Sequence, residues 1–449
     1  MTTGEVPFAM IGSTRVPAPR YYDPTFAMLE NERLWARTWQ MACRLEEIPF
    51  PGDFVEYTIG DQSLIVVRVD GDRVRAYHNV CRHRGTQLAT GTGAFRGGQI
   101  VCPFHGWRWN LDGKNSFVYG AEGFASDVAE PAELCLPQAQ VGTWGGCVWV
   151  NLDPRARPLL ETLDPIPSLL DPLGIDAMRV VWWKATVLDA NWKLAMEAFI
   201  EGYHIMASHP QITQGLGEEY DPDALAYSVH HNGHSSYVNR HGSQRRHRGQ
   251  VDYAEEVEAL IESSRLLGEG LEAMTLPRDL HVIETLRNRP VPANGSLGGE
   301  LVKAIYEYAK HAGIPLPTLG PDALARWGGV FFVFPHYFVL PQYGNALTYR
   351  FRPVHNQPER CLMELWSTTI PGPDDDFGRP TMQGPFAPDD REHWPLIPRQ
   401  DFSNITRQQR GLRNRTFEST RISHVYEVGI ANFHQEVDRY LRCPVTDQP

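Results

Sequence analysis

The sequence predicts an α+β protein of two domains, a small all-β domain followed by a larger mixed one. Three observations carry that prediction. Between residues 52 and 152, short β-branched runs alternate with glycine-bearing turns, the pattern of an antiparallel all-β unit. Residues 153–172 then hold Pro154, Pro158, Pro165, Pro167 and Pro172, which marks a crossing between domains. Beyond it, strand-like and helix-like stretches mix without an internal repeat, as α+β layers do.

Taken in order, Asp23-Pro24 reads as a helix start, a capping carboxylate before a proline at the first helical position. Phe26, Leu29, Trp35 and Trp39 supply the apolar side of that lead-in. Strands are expected at 54–59, 64–69, 74–80, 100–101 and 147–152, with Asp70-Gly71 and Leu111-Asp112-Gly113 as turns. In the second domain, residues 180–188 read as a strand, 191–204 as a helix, 330–351 as a pair of strands and 400–441 as mostly helix. The boundaries expected are a helical lead-in over 1–39 packing with the second domain, the β domain over 40–155 and the mixed domain over 156–449.

A chain of 449 residues with 42% hydrophobic content can bury a large core. Its net charge of −12 speaks against a nucleic-acid partner. The amino terminus lacks a basic region followed by an apolar one, and the apolar stretch at 329–340 is short and broken by Pro335 and His336. Neither a signal peptide nor a membrane span is expected. Seven scattered cysteines do not make a disulfide scaffold, so a reducing cytoplasm is the expected compartment. Charge is unevenly spread: from residue 73 to 111 there is no Asp or Glu, while Arg73, Arg75, Arg82, Arg84, Arg96 and Arg108 all fall there. That stretch is either a solvated arginine surface or a docking face for an acidic electron donor.

Inside it lie Cys81-Arg82-His83 and Cys102-Pro103-Phe104-His105, two mixed pairs spaced C-x-H and C-x-x-H. Two thiolates on one iron and two imidazoles on the other would hold a [2Fe–2S] cluster, and the neutral imidazoles raise its potential above that of an all-cysteine ferredoxin. Cys₂His₂ also suits Zn²⁺, but zinc fingers usually pair cysteine with cysteine, and here each pair is mixed and followed by glycine. On these residues the chain resembles the Rieske proteins.

A second constellation follows the crossing. Glu197, Glu201 and His204 fall at i, i+4 and i+7, on one face of the expected 191–204 helix, and His209-Pro210 comes just past its end. Two histidines and a carboxylate form the facial triad of non-haem Fe(II) oxygenases. A di-iron site built on Glu201-x-x-His204 would need a second Glu-x-x-His, and the chain has none. Together the two motifs resemble the α (large, catalytic) subunit of the Rieske non-haem iron ring-hydroxylating oxygenases over nearly the whole chain. Asn191-Trp192-Lys193 and Glu201-Gly202-Tyr203-His204 with His209 match that family's catalytic helix, and Asp401, ahead of Gln409-Arg410-Gly411-Leu412, matches its third iron ligand. The other role open to Asp401 is the N-cap of a helix over 401–412.

The resemblance implies an N-terminal all-β Rieske domain and a C-terminal helix-grip (START-like) catalytic domain with an antiparallel sheet. It implies a [2Fe–2S] cluster on Cys81, His83, Cys102 and His105, Fe(II) on His204, His209 and Asp401, and O₂ as cosubstrate. Electrons would come from NAD(P)H through a ferredoxin or flavin reductase. A head-to-tail homotrimer, with or without a small β subunit (α₃β₃), would let the electron pass from His105 through Glu201 to His204 of an adjacent subunit. Asn191 is a candidate supporting residue of the site.

Glu201 departs from the aspartate that most ring-dihydroxylating members carry; members acting on quaternary amines can have glutamate. The expected activity is oxygenation of an aromatic or other hydrophobic small molecule, by dihydroxylation or monooxygenation, with quaternary-amine or methoxy demethylation as the alternative. A pure electron carrier is the competing class. Phe199, Ile205, Met206, Leu216 and the 330–339 run are candidate pocket walls or ordinary core. The histidines between His230 and His247 lie in a polar tract expected to hold no ion.

Overall fold

The computed structural model describes residues 6–125, 132–214, 222–239, 252–290, 296–355 and 357–442. The chain divides into two units, residues 28–162 and residues 1–27 with 163–442, each with its own core.

The 28–162 unit is all β apart from short helical turns. Strands Gln40–Arg44, Asp53–Ile59, Gln62–Arg68, Val74–His78, Gln138–Trp144 and Cys147–Asn151 form one antiparallel sheet with Thr92–Ala94. A second sheet joins Gln99–Val101, Arg108–Asn110 and Asn115–Phe117. Between them lies a core of Phe54, Ile65, Val67, Tyr77, Leu88, Ile100, Trp107, Trp109, Leu134 and Leu136 that also takes in Cys81 and Cys102. Both thiols are thus packed as apolar groups at the end of the core.

In the other unit Asp23 caps the expected helix, its Oδ1 accepting from the Phe26 N–H at 2.9 Å, and the helix runs over Pro24–Glu30. An eight-stranded sheet follows in the order Leu225–Val229, Ser235–Asn239, Val330–Val333, Tyr337–Gln342, Asn345–Val354, Gln357–Thr369, Arg179–Leu188, Gln383–Phe386. All pairs are antiparallel except the last. Helix Trp192–Ile200 packs on the Asn345–Val354 and Gln357–Thr369 strands, and Leu396–Leu412 packs beside it. Val428–Arg442 packs on the Leu225–Val229 and Ser235–Asn239 strands, so helices lie against a largely antiparallel sheet.

Three sequence expectations need correction here. The 330–351 stretch is three strands rather than two, because Pro335 and the turn at Tyr343-Gly344 divide it twice. The 400–441 stretch is mostly helix as expected, in two helices, Leu396–Leu412 and Val428–Arg442, with a strand Ser419–Arg421 between them that pairs with Arg15–Pro17. Asp401 lies inside the first of these helices, whose N-cap is Pro395, so Asp401 is not a cap. The expected 191–204 helix stops at Ile200, and Glu201 has extended backbone.

Candidate active site

The early stop shapes the site. Residue 202 is glycine, and a Cβ there would come within 2.6 Å of Leu225 Cδ1, so a larger residue would have to displace that leucine for the chain to turn this closely against the sheet. The Gly202 N–H donates to the Tyr227 hydroxyl at 3.3 Å. After this turn His204 opens a short helix, Ile205–Ser208, and His209 ends it. The two histidines therefore converge from a turn and a helix end, not from one continuous helical face.

Asp401 completes the group. One ligand atom from each of His204, His209 and Asp401 lies within 4.8 Å of the other two, the only such group of three among the described residues. Asp401 Oδ1 is 3.0 Å from His209 Nε2 and 3.7 Å from His204 Nε2. The imidazole rings meet nearly edge to face, at 76°. His209 and Asp401 are buried, while His204 is 24% exposed, which leaves one side of the group open. Two neutral nitrogens and one carboxylate oxygen around an ion-sized space fit Fe(II) with open positions.

Each histidine is held from behind, as metal-binding imidazoles require. Glu201 Oε1 accepts from His204 Nδ1 at 2.8 Å, and its Oε2 accepts from the His204 backbone N–H at 3.0 Å. Burial works to lower the His204 pKa, but the hydrogen bond and charge of Glu201, with the charge of Asp401, outweigh it and raise the group. His209 Nδ1 donates to Gln400 Oε1 at 2.9 Å, and Gln400 exchanges hydrogen bonds with the amide of Gln211. Neither glutamine stood out in the sequence, because an amide carries no ligand chemistry and this contact spans 191 residues.

Other sequence candidates fall elsewhere. Glu197 does not join Glu201 and His204: with the helix ended at Ile200, its carboxyl turns into the interior and meets the Tyr21 hydroxyl at 2.9 Å and His434 Nε2 at 2.8 Å. Burial pushes its pKa up to about 8. Asn191 caps the Trp192–Ile200 helix through Lys193 N–H, and its amide donates to the Pro358 carbonyl. Among the described residues it makes no hydrogen bond to His204, His209, Asp401 or Glu201.

Phe199 packs against Tyr349 at 4.8 Å and Phe351 at 5.7 Å, whereas the Val330–Val333 strand is buried core. Leu216, His241 and His247 lie outside the described residues. His230, His231 and His234 pair separately with Ser236, Asp164 and the Phe334 N–H, so they do not converge on one ion.

In the 28–162 unit the two Cys–His loops have the same construction. Cys81 N–H bonds the Thr86 carbonyl and Gly85 N–H returns to Cys81; Cys102 N–H bonds the Trp107 carbonyl and Gly106 N–H returns to Cys102. Gly85 and Gly106 both adopt positive φ, 76° and 73°, which a side chain would strain. The loops bring His83 Nδ1 within 3.0 Å of His105 Nδ1, and Trp107 stacks on His83.

Burial pushes the Cys81 thiol up and Cys102 beside it adds to the rise, while the His83 and Arg84 N–H groups favour the thiolate. Cys81 thus lies beside Cys102 and His83 beside His105, a cysteine pair and a histidine pair that suit the two irons of a [2Fe–2S] cluster. Of the neighbouring arginines, Arg73 pairs with Asp70, while Arg84 and Arg108 lie over the exposed rings of Phe104 and Phe117.

Residues 38–118 match the Rieske [2Fe-2S] domain model, and residues 175–282 with 284–442 match the ring hydroxylating alpha subunit catalytic domain. The glycine betaine monooxygenase oxygenase subunit of Chromohalobacter salexigens is 33% identical over 47% of this chain and 47% of its own. The anthranilate 1,2-dioxygenase large subunit of Acinetobacter baylyi is 31% identical over 48% of this chain and 49% of its own. The chain thus spans about half the length of these curated relatives. Among solved structures, the quaternary ammonium Rieske monooxygenase CntA with L-carnitine superimposes at a TM-score of 0.64, with 18% identity and 95% of each chain covered. The catalytic-domain match takes in more than half of the chain, and the protein belongs to the ring-hydroxylating α-subunit family, with a Rieske [2Fe–2S] domain ahead of its catalytic domain.

Proposed function

We propose that the protein is a terminal oxygenase component: it takes electrons from a ferredoxin or flavin reductase and uses O₂ to hydroxylate a small organic molecule. The observation that carries this reading is the convergence of His204, His209 and Asp401, with Glu201 and Gln400 holding the two imidazoles from behind. An electron carrier would need no such triad. Iron at these residues would supply the O₂ activation that no side chain can perform.

The chain's own part is positioning. Glu201 and Gln400 accept the two Nδ1–H protons, which fixes both tautomers and turns each Nε2 lone pair toward Asp401. Buried His209 and Asp401 keep water from one side of the triad, and the partly exposed side at His204 is where electrons and substrate would arrive. In a head-to-tail homotrimer, the role proposed for Glu201 is to link His105 of the partner subunit to the His204 it holds. No described helix is long and apolar enough to cross a membrane, and two thiolate ligands suit a reducing cytoplasm. NAD(P)H enters only through the reductase.

Two substrate readings follow. Glu201 and the 33% identity to a glycine betaine monooxygenase subunit support monooxygenation of a quaternary amine. The 31% identity to an anthranilate dioxygenase subunit supports ring dihydroxylation. Oxygen uptake with a ferredoxin–reductase pair, run with quaternary amines and with aromatic acids under ¹⁸O₂, separates them: one labelled oxygen in the product means monooxygenation and two mean dioxygenation. Absence of substrate-dependent uptake, in protein holding about two irons per chain instead of about three, would leave the electron carrier as the answer.

A further inference from the structure

Behind the His209 side of the triad, the Leu396–Leu412 helix and the short helices at Ile205–Ser208 and Pro210–Gln214 leave an open groove of about 400 Å³. Its lining includes Arg399, Arg407, Gln400, Ser403, Asn404 and Ser208, and no acidic side chain. In a protein of net charge −12, this lining carries two positive charges and no negative one. Arg399 is anchored by its Nε to the carbonyls of Trp394 and Pro395, which leaves its two terminal nitrogens without a partner among the described residues. Arg407, two helical turns on, is exposed and makes no ion pair there.

Arg399 also sits in the first turn of a 17-residue helix, where the backbone favours an acid and opposes a cation. The carbonyls of Trp394 and Pro395 offset part of that cost through Nε, and an anion on the terminal nitrogens would offset the rest. Two guanidinium forks, a helix start and three small polar side chains make a receptor for the planar or tetrahedral oxygens of an anion.

Gln400 belongs both to this groove and to the triad's support. Its Oε1 accepts from His209 Nδ1, and its Nε2 reaches Gln211 Oε1 at 3.2 Å. An occupant that hydrogen-bonds the Gln400 amide competes with Gln211 and moves the acceptor on which His209 depends.

We propose that this groove binds a small oxyanion, a carboxylate or a phosphate, between Arg399 and Arg407, and that Gln400 transmits its occupancy to His209. The binding goes beyond the oxygenase reading and does not require it; only the transmission rests on His209 being an iron ligand.

The test is calorimetric titration of the full-length, metal-loaded protein with inorganic phosphate and, separately, with succinate, at constant ionic strength. Saturable one-site binding of either probe is expected, and which probe binds more tightly identifies phosphate or carboxylate as the ligand class. Arg399→Ala/Arg407→Ala should weaken it by about tenfold or more, the loss of charged hydrogen-bond partners. No saturable binding of either probe to the wild type, or equal affinity in the double variant, overturns the site.

Transmission is read as the Fe(II) dissociation constant of the triad with and without saturating probe, since coupling between two ligands is reciprocal. It should shift at least about twofold in the wild type and not in Gln400→Leu, which keeps the arginines. An unmoved Fe(II) constant with the anion bound overturns transmission and leaves the site standing, and a protein that oxygenates no substrate leaves it standing too.

Discussion

Replacing Glu201 by glutamine separates two jobs that one carboxylate is proposed to do. The Gln Oε1 can still accept from His204 Nδ1 over the observed 2.8 Å, so the imidazole stays oriented. What is lost is charge, together with the second acceptor, since the Gln amide nitrogen cannot take the His204 backbone N–H that Glu201 Oε2 accepts at 3.0 Å: at the imidazole, a hydrogen bond to a charged acceptor contributes about 1.5–3 kcal/mol, a neutral one about 0.5–1.5. The difference of about 1–1.5 kcal/mol weakens iron binding at the triad by about tenfold, within the range of about 10–100-fold usual for groups that hold metal ligands. Iron supplied well above that weakened constant restores full loading.

At that point turnover and the rate at which O₂ and substrate reoxidise the reduced cluster report only on Glu201 as the link to His105 of the partner subunit. The expected result is about three irons per chain, an unchanged cluster spectrum and a reoxidation rate far below wild type. Near-wild-type reoxidation and turnover in a fully loaded E201Q protein would refute the linking role and leave Glu201 as a holder of His204 alone.

Asp401→Ala should leave two histidines that cannot hold iron by themselves, so iron analysis falls from about three to about two per chain while the cluster's visible absorption persists. Replacing His105 by cysteine returns negative charge to the cluster, and voltammetry should show its potential falling by about 125 mV or more, half of the smallest gap between two-histidine and all-cysteine clusters. Glu197→Gln tests the buried Tyr21–Glu197–His434 cluster through pH. With Glu197 raised from 4.5 to about 8 in the fold, the folded chain holds a proton that the unfolded chain gives up. The Glu197 contribution to wild-type stability should therefore fall as pH rises from about 4.5 to 8 and level off above, so the Tm advantage of Glu197→Gln over the wild type widens across that window; a constant gap would show that Glu197 titrates normally. His434, pushed far below the ordinary imidazole value by burial and then by the charges of Arg20 and Lys193, should cost both proteins stability as pH drops below about 6.5.

The cluster motif was fully legible because its ligands sit within 25 residues on two glycine-closed turns, and such turns are written locally. His204 and His209, five residues apart, were legible for the same reason. Asp401 could be reached only through the family pattern, since nothing local distinguishes one buried helical aspartate from another. Helical periodicity misled at Glu197: it counted turns through Ile200, while the contact of Gly202 with Leu225 that ends the helix depends on a strand 23 residues further on.

Gln400 and Gln211 show most clearly why the remainder was hidden, because their importance lies in what they are not. Glu201 and Asp401 already bring two formal negative charges to the triad, enough to balance a divalent iron. A third acid at position 400 would hold His209 at least as firmly, but it would bring the carboxylates around the triad to three against a divalent iron and would take up the charge of Arg399 and Arg407 beside it. An amide, kept in place by a second amide, supplies the same acceptor without that charge. The constraint belongs to the assembled site and not to any segment, so only the fold can reveal it.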